Sequence, residues 1–572
     1  MCGIAGIISD NKVHLNQFSK VLNVLTHRGP DEEGVFQSQN AILGIKRLCI
    51  IDLETGKQPQ YNETGEVCIV HNGEIYNYKE IRQELKKNYT FKTKSDTEVI
   101  IHAYEEYGEE CIHHLNGMFA FAIWDGTKLF LARDRLGKKP LYYYHKDGLF
   151  VFASEIKAIL KIVECKPRIS ENFLVFENTL DNETLFEDIY TVPAGSILKY
   201  ENQKLIVKKY WDIETQPDYS LNEKECIDKL RWLIEDSVRI RLRSDVPIGG
   251  LLSGGIDSSI ITCLAKPERV FICHFPYGNK YDELYYANLV ADHIGSIKHV
   301  IQPTAEDFKE LLPHIIYMLD EPIGTAAAIA EFMLSREASK YVKVVLSGLG
   351  VDEFYGGYVR HLLMQMEQDI ITSPAIANYH SLAKYFWGNE LFSPMSERYF
   401  HLISRGTPMT DEPLNRVRKA FSRFKDLANQ ISYTDMQTSL PGLLTMSDRA
   451  SSAYSIENRS PFLDYRIIEF SYQIPPKFKI KDGRTKYIIH KVAEGIVPKE
   501  IVERKEKIGF VVPINHWFAN SLKAWKAEII DNLHKRNCKF INTETTNGRG
   551  EFDRKLYHMI GIELWHRQFV DN

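Results

Sequence analysis

The pattern of apolar and polar positions divides the chain into two textures. Up to about residue 210, apolar residues come in short β-branched or alternating runs: IleAlaGlyIleIle at 4–8, ValCysIleValHis at 67–71, LeuPheLeuAlaArg at 129–133 and LeuPheValPheAla at 149–153. Turn pairs such as Asn72-Gly73 and Asp147-Gly148 separate them. Short strands punctuated this way predict a sheet-rich region of hairpins with a few helices. From about 225 the period lengthens, and residues 225–239 carry apolar positions at helical spacing. A buried strand is expected over 246–252, then a Gly/Ser turn and a short helix; a second β-branched run, 341–346, leads to another glycine-rich turn. Strands alternating with helices predict a parallel α/β sheet. The polar stretch around Gln216-Pro217-Asp218 reads as a linker, which gives expected units of 2–210 and 225–572 joined by 211–224. Residues 360–445 and 515–572 are expected to be mainly helical.

Composition narrows the function classes. The 572 residues are 44 % apolar and 26 % charged, with 71 Lys+Arg against 76 Asp+Glu and a net charge of −5. That is ordinary globular usage, with no basic excess for a nucleic-acid or membrane-surface binder. No run approaches the roughly 18 apolar residues of a membrane span. The apolar start lacks a basic flank and meets Asp10 at once, so it does not read as a signal peptide. The nine cysteines (2, 49, 68, 111, 165, 226, 263, 273 and 538) are odd in number, irregular in spacing and without a CxxC pair. They indicate neither a disulfide framework nor a zinc site, and a reducing cytoplasm is expected.

Chemistry gathers first at the amino terminus. Cys2 becomes the first residue if the initiator Met is removed, and a terminal Cys carries its own base, an α-amino group with an ordinary pKa of about 7.7–8.0. A small buried residue opening a strand is the plain alternative. His27-Arg28-Gly29-Pro30-Asp31 forms a turn-rich cluster, and Arg47-Leu48-Cys49-Ile50-Ile51-Asp52 reads as a strand with a guanidinium at one end, able to clamp a carboxylate. Asn72-Gly73 reads either as a type I′ turn or as an oxyanion hole built from the Asn72 amide and the Gly73 N–H. Asp96, in Ser95-Asp96-Thr97-Glu98, reads either as a helix N-cap or as a partner for a substrate ammonium.

The order Cys2, Arg47, Asn72-Gly73-Glu74, Asp96, with Arg133-Asp134-Arg135-Leu136-Gly137-Lys138-Lys139-Pro140-Leu141-Tyr142-Tyr143 and Ala153-Ser154-Glu155 after it, resembles the class II glutamine amidotransferase domain. The resemblance implies an αββα N-terminal-nucleophile hydrolase fold and glutamine hydrolysis through a Cys2 thioester. It assigns Arg47, Ile50, Ile51, Asn72, Gly73, Glu74 and Asp96 to glutamine. Cys49 stands where Ser is common in that family.

A second site lies downstream. Leu252-Ser253-Gly254-Gly255-Ile256-Asp257-Ser258-Ser259 joins the predicted strand to a helix. Its glycines, hydroxyls and helix start suit phosphate oxygens, and without Gly-Lys-Ser/Thr it is not a P-loop. It resembles the pyrophosphate loop of enzymes that cleave ATP between the α and β phosphates. Ser347-Gly348-Leu349-Gly350-Val351-Asp352-Glu353 follows the second run. Asp320-Glu321-Pro322 precedes this region, and further on come Asp448-Arg449-Ala450, the block 455–464, Gly483-Arg484-Thr485-Lys486 and Arg504–Phe510. Together the blocks resemble the glutamine-hydrolysing asparagine synthetase family over about 1–515. That implies an adenine-nucleotide-hydrolase-like parallel sheet with a helical C-terminal part. It implies ATP at Leu252, Ser253, Gly254, Gly255, Asp257, Ser258, Ser259, Cys273, Ser347 and Gly348. Mg²⁺ would lie on Asp257 and Asp352, Lys486 would neutralise pyrophosphate, and Leu349 and Glu353 would border the acceptor. A homodimer and an internal ammonia channel are further implications.

Two departures bear on the acceptor. The family usually has an acid at position 349, where this chain has Leu349, and the stretch 264–270 after the phosphate loop is short. Aspartate is therefore the first expectation for the acceptor, and another carboxylate, such as a sugar acid, a cell-envelope precursor or a peptide, the second. A non-catalytic regulator would not keep Cys2, Asp257, Asp352 and Lys486.

Overall fold

The structure, a computed structural model, describes residues 1–9, 15–278, 282–322, 325–373, 393–404, 410–504, 512–536 and 554–571. Lys505–Phe510 and Cys538, together with parts of the stretches expected to be helical, lie outside the described residues.

The first runs become strands, because each apolar side chain finds a face to cover. Gly3–Ser9 pairs antiparallel with Ala41–Arg47 on one side and Leu149–Ala153 on the other. Glu32–Gln37, Tyr142–Lys146 and Ile189–Thr191 extend this sheet to six strands. A second six-stranded sheet runs Lys204–Lys209, Ser196–Glu201, Leu129–Arg133, Gly117–Trp124, Cys68–Ile75, Gln60–Tyr61. Between the sheets lie Ile4, Ile8, Leu43, Val70, Ala122 and Leu131. Ala5 and Ile7 point the other way, into a core with Phe18 and Leu22 of the helix Leu15–Val24. The outer face of the second sheet is covered by the helices Tyr78–Leu85 and Glu98–Tyr107. A strand buried on both faces reads as a continuous apolar run, which is the pattern at 4–8.

Asp147-Gly148 makes the expected hairpin turn, both residues at positive φ between paired strands. Asn72-Gly73 does not. Both lie inside the strand Cys68–Ile75, in unbroken register with Gly117–Trp124. Eight paired residues outweigh the local preference of an Asn-Gly pair for a turn. Gly73 is required there for another reason: a β-carbon would sit 2.0 Å from the Met118 carbonyl oxygen.

The second half contains a five-stranded parallel sheet, in the order Ile297–Ile301, Arg269–Cys273, Ile248–Leu251, Val344–Leu346, Glu457–Arg459. Chain order reverses between the third and fourth strands, and in open α/β sheets such a switch point leaves a crevice at the carboxyl ends. The expected strands 246–252 and 341–346 are shorter here, because pairing spans only four and three residues. The helix expected over 225–239 is Glu223–Arg241, started by a capping box of Asn222 and Glu225. The stretch read as a linker is packed: Ile213 is fully buried, and Trp211 Nε1 donates to Glu469 at 2.8 Å.

The halves meet across buried charge. Arg28 pairs with Glu155 at 2.8 Å and with Asp448 at 3.0 Å. Arg449 pairs with the same Glu155 at 2.7 Å and with Asp320 at 3.0 Å, and Asp320 pairs with Lys157 at 2.9 Å. All of these side chains are buried. Charges removed from water are tolerated only with such mutual satisfaction, so the network fixes how the halves register.

Candidate active sites

Cys2 precedes the central strand of the first sheet and is buried. Its N–H donates to Asn72 Oδ1 at 3.1 Å, and its thiol faces the Leu48 carbonyl at 4.0 Å. Arg28 Nε holds the Cys2 carbonyl at 2.9 Å. The fully buried Asn72 leaves its Nδ2 without a hydrogen-bond partner among the described residues. Burial pushes the Cys2 thiol up, with the α-amino group and Arg47 opposing. Burial also lowers the Met1 α-amino group to about 6.

The other N-terminal candidates gather around this point. The strand expected over 47–52 is not formed; Arg47 instead closes the strand Ala41–Arg47 that precedes it, and its guanidinium is largely engaged: Nη1 donates to Glu32 at 2.7 Å, and Nη2 to the carbonyls of Ile51 and Asp52 at 3.0 and 2.9 Å. The Ile50 carbonyl accepts from the Asp245 N–H at 3.0 Å. Asp96 does not cap the helix Glu98–Tyr107. Its Oδ2 accepts from the Ile75 N–H at 2.9 Å, at the end of the strand that carries Glu74. Burial raises the Asp96 carboxyl to about 6.

Glu74 has a partner from the second half. Arg459, at the edge of the parallel sheet, lies 3.1 Å from Glu74 and 2.7 Å from Glu457. One guanidinium between two buried carboxyls separates them. Burial pushes Glu74 up, whereas at Glu457 the Arg459 charge overcomes burial and holds the carboxyl low. Sequence reasoning singled out the 455–464 block without giving Arg459, Arg28 or Asp448 a role. The available signal was charge inside otherwise apolar blocks.

At the second site, the turn Leu252–Gly255 leaves the strand Ile248–Leu251 and enters the helix Ile256–Ala265. Its hydroxyls hold the loop in shape. Ser253 and Ser258 share a 3.0 Å hydrogen bond, and Ser259 Oγ donates to the Gly255 carbonyl at 2.7 Å. The Leu252 N–H bonds the Phe271 carbonyl at 3.0 Å, while Cys273 ends the adjacent strand. Ser347-Gly348 follows the neighbouring strand across the switch point. A β-carbon on Gly348 would lie 2.6 Å from the Ser258 nitrogen, so the two turns touch through backbone.

Lys486 closes the arrangement, with Nζ at 2.6 Å from both Asp257 and Asp352. Glu353 is buried behind them and accepts from the Tyr358 hydroxyl. Burial, with Asp352 adding, raises it to about 7. Leu349 lines a small cavity between the halves with Met118, Leu444 and Asp448. The two carboxylates on Lys486 are hard oxygen donors beside a phosphate-type loop. They fit an ion that takes one or two carboxylates and completes its shell with phosphate oxygens and water.

Residues 229–567 match the family described as asparagine synthase, and residues 1–211 the glutamine amidotransferase domain. The Bacillus subtilis protein named asparagine synthetase (glutamine-hydrolysing) 1 is 33 % identical, over 99 % of this chain and 96 % of its own. The Escherichia coli protein named asparagine synthetase B (glutamine-hydrolysing) is 30 % identical, over 99 % of this chain and 91 % of its own. A Gibberella zeae protein named amidase chry2 is 26 % identical, over 96 % of this chain and 94 % of its own. No helix among the described residues is long and apolar enough to cross a membrane. With a Cys2-centred site on a double antiparallel sheet and a Ser/Gly loop on a parallel one, the chain belongs to the asparagine synthase family and carries its glutamine amidotransferase domain.

Proposed function

We propose that the chain is a glutamine-dependent asparagine synthetase. It hydrolyses glutamine at Cys2, adenylates the side-chain carboxylate of aspartate with ATP, and yields asparagine, AMP and pyrophosphate. The observation that carries this reading is Lys486, held 2.6 Å from both Asp257 and Asp352 beside the Ser253–Ser259 loop, in the same chain as the Cys2 site.

In the first half-reaction, removal of Met1 leaves Cys2 with the α-amino group. That amine is the base for the thiol. The thiolate attacks the glutamine carboxamide. Asn72 Nδ2 and the Gly73 N–H stabilise the oxyanion, ammonia leaves, and water releases glutamate. Arg47, Glu74 and Asp96, with the backbone of Ile50 and Ile51, hold the substrate's charged head.

In the second, the carboxylate oxygen attacks the α-phosphorus and pyrophosphate departs. The turns Leu252–Ser259 and Ser347-Gly348 bind the phosphates, the Cys273 strand end borders the base, and Lys486 offsets charge on the leaving group. Asp257 and Asp352 would hold Mg²⁺, which supplies further neutralisation of that charge. Glutamine, ATP and the acceptor are the small-molecule partners in this reading. Residues 2–210 and 225–572 are the two working units, and a cytoplasmic homodimer completes the reading. The eight described cysteines are all free thiols, in keeping with a reducing compartment.

Leu349 favours a second reading, in which the same chemistry acts on another carboxylate. It places an apolar side chain in the cavity, beside Met118 and Leu444. One assay separates the readings. The purified enzyme is given glutamine, ATP, Mg²⁺ and a panel of acids, and pyrophosphate and amide are measured. Aspartate-dependent release of both is expected. Release only with another acid selects the second reading, and ADP in place of AMP would remove both.

A further inference from the structure

The loop that follows the strand Leu129–Arg133 crosses from the first half to the second site. Lys138, on this loop, donates through Nζ to the Leu463 carbonyl at 3.2 Å. The Leu463 side chain covers Gly350 so closely that a β-carbon there would lie 2.3 Å from it. Lys138 therefore ends at the backbone of Leu463, whose side chain packs on the 347–351 turn. It also lines the cavity that holds Leu349, Met118, Asp448 and Ser460.

This cavity lies between the two sites. At one end, Asp448 pairs with Arg28, which holds the Cys2 carbonyl. At the other, Ser460 Oγ lies 3.0 Å from Ser347 Oγ. Nitrogen that crosses it arrives as ammonia and must shed a proton once bonded to carbon. Few lining groups can take one. Leu349 and Met118 have no basic atom. Asp448 is held below the usual carboxylate range, because Arg28 and Lys139 overcome its burial, so it is a weak base. Lys139 is engaged with Asp448 at 3.6 Å. Lys138 makes no ion pair among the described residues, and its side chain bonds one carbonyl.

We propose that the Lys138 amine accepts the proton from the incoming nitrogen during amide formation. The nitrogen lone pair forms the C–N bond, and the carbonyl electrons move to oxygen. Lys138 Nζ takes one proton from nitrogen. Collapse then breaks the bond between carbon and the AMP oxygen, which leaves with the electron pair. This rests on the adenylation reading above. Burial lowers Lys138 to about 8. Asp134 and Arg135 face it from its own loop, Arg241 from the helix Glu223–Arg241, and Asp464 from the turn after Leu463, with Asp448 and Lys139 in the cavity. The carboxylates raise it and the guanidiniums lower it.

The test compares wild type with Lys138→Met and Lys138→Arg. Arginine keeps the charge and cannot give up its proton. Three rates are followed from pH 6.5 to 9.5: glutamine hydrolysis, acceptor-dependent exchange of pyrophosphate into ATP, and amide formation from ammonia. Hydrolysis and exchange should stay within about threefold of wild type, while amide formation falls about 100-fold, the scale of a general base. With free NH3 held constant across the range, the rise of the wild-type rate through about pH 8 should vanish in Lys138→Arg. Hydroxylamine, which sheds its proton more readily, should recover at least about tenfold of the loss. Unchanged amide formation, or exchange and amide formation falling together in both variants, overturns the proposal. A wild type that exchanges pyrophosphate with no acceptor overturns the adenylation reading, and this proposal with it.

Discussion

Around Cys2 the polar groups are enclosed: Cys2, Asn72, Glu74 and Asp96 are 8, 0, 3 and 5 % exposed. Around the phosphate-type loop, Ser253, Ser347, Gly348 and Asp352 are only half-buried, and Lys486 spans two carboxylates across the crevice. The difference follows from what each site must hold. A small zwitterion can be surrounded by preset donors and shifted carboxyls, at the cost of burying them. A polyanion needs an open mouth, backbone N–H groups and a cation that is kept in place before the phosphates arrive. The first site therefore depends on burial, and the second on close approach of glycine backbone.

The largest effect expected from this contrast is at Cys2. Cys2→Ala should lower glutamine-dependent amide formation about 1000-fold or more while ammonia-dependent formation stays within about twofold. Parallel assays with the two nitrogen donors check this, and equal loss with both would merge the two sites into one. Lys486→Met is the mirror experiment. Pyrophosphate release should fall roughly 100- to 1000-fold with glutamine hydrolysis retained, on the scale of removing a preorganised electrostatic contact.

Next in size is the seam. Arg28→Met leaves Glu155 and Asp448 short of a buried cation, and should cost about 3–5 kcal/mol in denaturant unfolding. Loss below about 1 kcal/mol would mean that the halves do not register through this charge. The paired glycines sharpen the local comparison. Gly73→Ala and Gly348→Ala each force a β-carbon into backbone, at 2.0 and 2.6 Å. Each should cost about 1–3 kcal/mol. The first should disable hydrolysis alone, and the second ATP use alone, as read from separate half-reaction rates.

The smallest effect is in the pH dependence. Burial raises Asp96 to about 6, so it is protonated in the free enzyme below that pH. If its charge holds the substrate ammonium, kcat/KM for glutamine should fall about tenfold per unit below pH 6. A flat profile from pH 5 to 7 would remove Asp96 from binding. The sign for stability is opposite. A carboxyl raised in the folded state binds its proton more tightly there, so this group adds stability as pH falls from about 6 to 4.

Much of this was legible along the chain. Ile4–Ile8 announced a strand, Asp147-Gly148 a hairpin turn, and residues 225–239 a helix. Cys2 and Ser253–Ser259 declared their chemistry by residue type and order. Asn72-Gly73 misled on local structure, because turn preference is a property of a few residues and sheet register belongs to two strands. The same pair kept its chemical reading, because Asn72 still offers an amide beside Cys2. Arg459 could not be assigned to Glu74 from spacing, since 385 positions separate them in the numbering and only the fold closes that gap.

The sequence alone determined which groups are present and in what order: a second-position thiol, an amide donor, a Ser/Gly loop, two aspartates and a lysine. It also determined the two textures, because side-chain period is a local property of strands and helices. Tertiary structure alone decided which of these groups meet. It placed Lys486 between Asp257 and Asp352, Arg28 between Cys2 and Asp448, and Lys138 on the Leu463 carbonyl. The physical reason is burial. Charges taken from water must find partners, and those partners are set by how sheets and helices stack, not by their distance along the chain.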